Sequence, residues 1–381
     1  LRLTIRKILN VHLADFERTH RVPDHALHAA RLLRLCRSGA LGFHRERCPQ
    51  GHHDVIRPNS CRHRSCPECS YLRVTRWLQG AERRLLPCPH YHIIFTIPHE
   101  LNPLWLANPR AMAKILFKCA RAAFFEMLED PRRLGARPGA FASLHTWGGT
   151  LPLHPHVHFI VTDGGARSDG TWIPGRSSGL LPIRAASELF RGKILDEVRR
   201  GATRGDLIMP AEMSAAAWAA LHRKISAKKW NVFIRERYSD SRHVLSYLAR
   251  YVRGGPIGNR RLVRVTNDTV TFRYRSHRAG REEQMTLLAE EFLRRLLLHV
   301  PPRGLQCVRS YGLYANSNRI APRLPEEVIT ASRRKVEESS SRPKSIRCCP
   351  ICGGPLYLRI CPALPGVTSS PARASPENRL H

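Results

Sequence analysis

Between Cys48 and Cys69 the chain reads CPQGHHDVIRPNSCRHRSCPEC. Thiols and imidazoles crowd a segment that holds few core formers, so apolar burial alone cannot shape it and it needs a staple. Cys66-x-x-Cys69 has the spacing of a zinc knuckle, in which one turn presents two thiolates. Cys48 and either His52 or His53 can complete a tetrahedral site from the preceding loop, and Cys61 is a fifth candidate. The set Cys48, His52, Cys61, Cys66 and Cys69 therefore over-supplies one structural Zn2+. Near the other end, CCPICGG with Cys361 resembles half a zinc ribbon whose completing ligands the sequence does not identify.

The rest of the composition agrees with metal rather than disulfides. The chain has 12 cysteines in 381 residues. Its opening stretch LRLTIRKILNVHL lacks the compact apolar region of a secretory signal. No apolar run approaches the roughly 18–20 residues of a membrane-spanning helix. These features predict a cytoplasmic, nucleoid-associated protein with reduced thiols and no membrane partner. Lys and Arg number 63 against 30 Asp and Glu, a net charge of +33. A field of that size favours a polyanion, and DNA is the partner it predicts.

Periodicity divides the chain further. Residues 1–35 read as helical, and a helix follows the knuckle over 71–86, ended by Pro87. YHIIFTIP, from Tyr91, is a β-branched and aromatic run that predicts a central strand. A long amphipathic helix spans about Ala111 to Leu128, and ASLHTWGGTL and HVHFIVTDGG then read as two paired strands. Helices at Ala186–Arg200 and Ala211–Lys224 lead to the strand WNVFIRERY. SDSRHVLSYLARYVRGG is a capped helix with a glycine stop. RRLVRVTNDTVTFRYRS is a hairpin turning at Asn-Asp, and a last helix covers Leu287 to His299. Beyond about Pro322 the composition predicts a mostly disordered tail. The working division is a helical and zinc-binding unit (1–90), an antiparallel-sheet α+β unit (91–320) and the tail (321–381) with its small knuckle.

Two further patterns carry chemistry. In LHPHVHFIV a strand sends alternate side chains to one face, so His156 and His158 point the same way, about 6–7 Å apart along the strand, and can share a metal ion. Val157 and Phe159 face the opposite side. His154 precedes Pro155 and falls outside the regular alternation. On the helix SYLARYVRGG, Tyr247 and Tyr251 share a face one turn apart, with His243 a turn before them. No carboxylate sits beside the histidine pair to serve as the base of a zinc hydrolase.

In combination these motifs resemble the IS-ninety-one-type two-tyrosine HUH transposases, which move by a rolling-circle-like route. The segments that carry the resemblance are NSCRHRSCPEC, YHIIFTIPHEL, LHTWGGTLPLHPHVHFIVTDGG, YLARYVRGGPIGNRRL and SYGLYANSNR, in the family's order across roughly residues 25–320. One departure is that Cys48 is followed by Pro49, Gln50 and Gly51, where the family leads one to expect a second cysteine. The resemblance implies a ferredoxin- or RRM-like nuclease fold behind a small zinc-binding domain. It further implies Mg2+ or Mn2+ held by His156, His158 and a third ligand, with His92, His99, His145 and His154 as candidates. Tyr247 and Tyr251 are then the nucleophiles that form a 5′-phosphotyrosine on single-stranded or melted DNA. A replication initiator or relaxase shares that chemistry, but no GxxxxGK[ST] helicase motif is present. A non-catalytic zinc-finger DNA-binding protein is the third reading. Trp105, Trp147 and Trp230 are candidate platforms for DNA bases, and Arg57, Arg62 and Arg64 suit backbone phosphates.

Overall fold

The computed structural model describes residues 3–176, 179–238, 255–276, 279–334, 348–354 and 356–361. Tyr247, Tyr251 and His243 lie outside them. Helices α1 (Ile5–Thr19) and α2 (Asp24–Leu35) open the chain. The Thr4 hydroxyl accepts from the Lys7 N–H to cap α1, and Pro23 breaks the stretch in two by holding the residue before α2 extended. Their apolar stripes (Ile8, Leu9, Leu13; Ala29, Ala30, Leu33) are fully or almost fully buried.

The Cys-rich segment forms a hairpin of β1 (Phe43–Arg47) and β2 (Asp54–Pro58), followed by helix α3 (Ser70–Glu82). The hairpin is charged on its outer positions. Arg45 makes two bonds of 2.6 Å to the Asp54 carboxylate, and Arg57 reaches Glu46 at 2.8 Å. These cross-strand ion pairs take the place of an apolar face.

A five-stranded antiparallel sheet forms the centre. Its strands are β3 (His90–Thr96), β4 (Gly139–Trp147), β5 (Leu153–Thr162), a later β8 (Val232–Tyr238) and β12 (Val308–Gly312), in the order β12-β4-β5-β3-β8. Between β5 and β8 the chain makes a small β6 (Gly164–Ala166) and β7 (Trp172–Pro174) hairpin. On one face of the sheet, Ile93, Phe95, Ala142, Leu144, Val157 and Phe159 are buried against helices α5 (Pro109–Glu129) and α6 (Ile183–Thr203). Phe124 meets Phe159 edge-on at 4.9 Å, and Phe190 meets Phe95 at 5.0 Å. A short α4 (Asn102–Ala107) precedes α5, and α7 (Ala215–Ala227) precedes β8. The other face is only partly covered. There α3 packs Trp77 and Ala81 over Phe141, Ile160 and the fully buried Tyr314.

A second core joins distant parts of the chain. Strands β9 (Leu262–Val265), β10 (Thr269–Arg275) and β11 (Glu282–Leu288) form an antiparallel sheet, and α8 (Ala289–Leu298) packs with them against α1 and α2. The helix expected from Leu287 therefore starts two residues later, because Leu287 and Leu288 belong to β11. The hairpin turns at Thr266 to Asp268 as its Asn-Asp pair predicts, with a third strand that the sequence did not announce.

Past Pro322 the described residues include helix α9 (Glu326–Arg334) and strand β13 (Tyr357–Cys361), which pairs with β1, from Phe43 opposite Cys361 to Arg47 opposite Tyr357. Among the described residues no helix is long and apolar enough to cross a membrane.

Candidate metal centres

Cys36, Cys61, Cys66 and Cys69 converge in the first cluster. Cys36 is the C-cap of α2, Cys61 and Cys66 lie in the loop beyond β2, and Cys69 is the N-cap of α3. Arg37 and Arg62, each next to a cluster cysteine, adopt left-handed backbone (φ 55° and 52°) as the chain bends around the sulfurs. Cys36 lies 3.5 Å from Cys69 and 3.8 Å from Cys66, sulfur to sulfur, and Cys61 lies 3.6 Å from Cys69. Four sulfurs about 2.3 Å from a tetrahedral Zn2+ sit roughly 3.8 Å apart, so the donor set and its spacing fit that ion.

This corrects the single over-supplied site. Cys48 and His52 take no part in the first cluster; their side chains lie with those of Cys349 and Cys352. Cys36, which the sequence reading passed over, takes the vacated place. His53 turns to Glu46 instead, its Nε2 3.6 Å from the carboxylate.

The third cluster lies on the face of the central sheet that α3 partly covers, opposite the α5–α6 core. His156 and His158 alternate on β5, the middle strand, and β4 sets His145 opposite His156 and Ser143 opposite His158. The ligand nitrogens of His145, His156 and His158 all lie within 4.8 Å of one another. Val157 and Phe159 point into the core, as the alternation requires.

Hydrogen bonds orient two of the rings. The His156 Nδ1–H donates to the His154 carbonyl at 2.6 Å, which leaves Nε2 as the lone-pair nitrogen. Nδ1 of His158 meets Nε2 of His92, on β3, at 2.9 Å. Such contacts behind a histidine fix its tautomer and aim its other nitrogen at a metal. Burial, ahead of repulsion from neighbouring charges, holds His156 and His158 well below the ordinary histidine range, and His92 down to about 3. Neutral imidazole is the form that ligates. Three imidazole nitrogens fit a divalent ion such as Mn2+ better than the oxygen-seeking Mg2+.

Of the four candidates for a third ligand, only His145 joins the pair. His92 stands behind His158, and His154, exposed within β5, lends its backbone carbonyl. His99 lies outside the cluster, with a largely exposed side chain beside Glu100. Trp105 and Trp230 are buried in the core, whereas the half-buried Trp147 stacks on His145 with ring centroids 4.5 Å apart. Trp147 also lines a cleft of about 1130 Å³ whose walls include Arg64, Arg73, Arg309 and Trp77.

Residues 8–97 match the transposase zinc-binding domain, and residues 139–321 match the family described as putative transposase. A putative transposase of Sinorhizobium fredii, y4qJ, is 35% identical over 340 residues, covering 84% of this chain and 85% of its own. The chain belongs to the IS-ninety-one-type transposases. The transposase for insertion sequence element IS801 of Pseudomonas savastanoi pv. phaseolicola is 31% identical over 266 residues, 68% of this chain and 62% of that protein. No solved structure matches the chain. In this transposase the four-cysteine cluster falls wholly inside the zinc-binding domain, and His145, His156 and His158 fall inside the other matched stretch. Residues 348–361 lie outside both.

Proposed function

We propose that this transposase cuts and rejoins single-stranded DNA at the ends of its element through a 5′-phosphotyrosine, on an HUH-type nuclease sheet. The observation that carries the reading is the trio His145, His156 and His158, whose ligand nitrogens gather within 4.8 Å at the middle of the sheet. A Mn2+ or Mg2+ ion bound there supplies Lewis-acid polarisation of the scissile phosphate. The imidazoles hold the site rigidly, through His92 and the His154 carbonyl. Tyr247 and Tyr251 are the proposed nucleophiles from their motif, in a segment that begins where β8, a strand of the same sheet, ends. The tyrosine oxygen bonds to phosphorus as the bond to the 3′ oxygen breaks, leaving a free 3′-OH. The link keeps the energy of the phosphodiester, so rejoining needs no nucleotide cofactor. The second tyrosine accepts a second cut strand.

The net charge of +33 and the cleft beside His145 support a DNA strand lying along this face. In this reading residues 1–90 recognise the element's end and residues 91–320 carry out the chemistry. The test is incubation with single-stranded DNA from the element's own ends and Mn2+, followed by a denaturing gel. A covalent adduct is expected from the wild type and not from the Tyr247→Phe/Tyr251→Phe double variant. An adduct that survives the double substitution sinks the mechanism, and a wild type that only retards DNA returns the chain to the non-catalytic binding class.

A further inference from the structure

We propose that Cys48, His52, Cys349 and Cys352 form a second zinc site, which fastens the C-terminal strand to the N-terminal hairpin. The proposal stands independently of the phosphotyrosine reading.

Cys48 and Cys352 are 304 residues apart in sequence, yet their sulfurs lie 3.6 Å apart. His52 and Cys349 place their ligand atoms in the same group, all within 4.8 Å of one another. The two halves are built alike. On the first, the Cys48 carbonyl accepts from the Gly51 N–H at 3.0 Å, with Gly51 at φ +79°. On the second, the Cys349 carbonyl accepts from the Gly353 N–H at 2.9 Å, with Gly353 at φ +70°. Each glycine takes the left-handed conformation that lets the chain turn back beneath a sulfur. Cys48 and Cys349 are buried, at 0% and 2% exposure, while His52 and Cys352 close the outer side. Two facing knuckles, one offering Cys and His and the other two Cys, present a Cys3His donor set, which suits tetrahedral Zn2+.

Among the described side chains of this segment, little else supplies anchorage. Ile351 and Tyr357 are 70% and 67% exposed, so these two side chains add little apolar anchorage. The five backbone pairs between β13 and β1 lie on a hairpin whose own faces are charged. A short strand on such a platform is marginal without a further link. The missing second cysteine near Cys48 is thereby explained, because His52 fills its place across from Cys349-x-x-Cys352.

The full-length zinc-loaded protein carries its own control. Cys348 is exposed and outside the cluster, four residues from Cys352, which is also exposed. Brief alkylation with N-ethylmaleimide, read by peptide mass spectrometry, is expected to modify Cys348 at least about tenfold faster than Cys352. After chelation of zinc the two should react alike. Zinc content should fall by one ion per chain in Cys352→Ser and be retained in Cys352→His. Equal alkylation in the zinc-loaded protein overturns the proposal. So does protection of Cys352 that survives chelation, or an unchanged zinc content in Cys352→Ser. Should that variant not fold, the wild-type alkylation decides.

Discussion

Nε2 of His92 lies 2.9 Å from Nδ1 of His158, the two rings nearly parallel and meeting edge to edge across two neighbouring strands. His92 touches no reacting atom in the proposed mechanism, so its place is to position. Replacing it with Leu frees the His158 ring to turn and should raise the Mn2+ concentration for half-maximal DNA cleavage by about 10–100-fold. Cleavage at saturating Mn2+ should recover most of its rate. His92→Gln, which restores a hydrogen-bonding group, should lie between. A Mn2+ titration with the same midpoint in all three proteins removes His92 from the site.

Cys36 carries one corner of the four-cysteine cluster from the end of α2. Its substitution by Ser should release one zinc per chain and lower the thermal midpoint, because α2, the loop and α3 then lose their common tie. The zinc proposed at Cys352 should stay bound. Loss of both ions from Cys36→Ser would mean that the two sites fold as one.

His299 is buried between the Leu151 carbonyl, which accepts from Nε2 at 3.1 Å, and Thr146. Burial, its largest influence, lowers it to about 4, and burial does the same to His90. Both are neutral in the folded chain at pH values where the unfolded chain, at an ordinary 6.5, already takes up protons. Stability should therefore be complete above about pH 6.5 and fall steadily toward pH 4. His299→Gln should flatten that slope in thermal melts between pH 6.5 and 5. Parallel slopes for variant and wild type would show that His299 titrates normally.

Trp147, stacked on His145 at the edge of the cleft, is placed to take a base on its free surface. Trp147→Ala should weaken binding of single-stranded DNA by about 1–3 kcal/mol, the range for one stacking platform. Measuring affinity by fluorescence anisotropy without divalent ion separates this from any disturbance of His145. Trp147→Phe should retain most of the affinity, and an unchanged Trp147→Ala affinity would mean that the strand runs elsewhere.

Strong periodic signals made the middle of the chain legible. The alternation around His156 and the aromatic run of β3 gave the sheet, its buried face and two of three clustered histidines. His145 was recoverable as well. It and His156 lie equally far from the Thr150–Leu151 step in the connecting loop, and antiparallel register makes such residues partners. The first hairpin was not legible, because FHRER and DVIRP satisfy their pairing through ion pairs and show no apolar alternation. Cys36 escaped because a lone cysteine at a helix end carries no spacing signal. Cys349 and Cys352 were visible as a knuckle, but nothing local reveals a partner 300 residues upstream. Their true neighbours are set by how β13 docks.

Helix α3 begins at Cys69, inside the zinc cluster, and lays Trp77 and Ala81 on the sheet face that carries the histidines. Thirteen helical residues make a stiff rod of roughly 20 Å. If the front of the chain reads the element's end, that rod acts as a ruler. The gap between the mark on the DNA and the nick is then a length written into the protein, and adding one helical turn to α3 should move the cut.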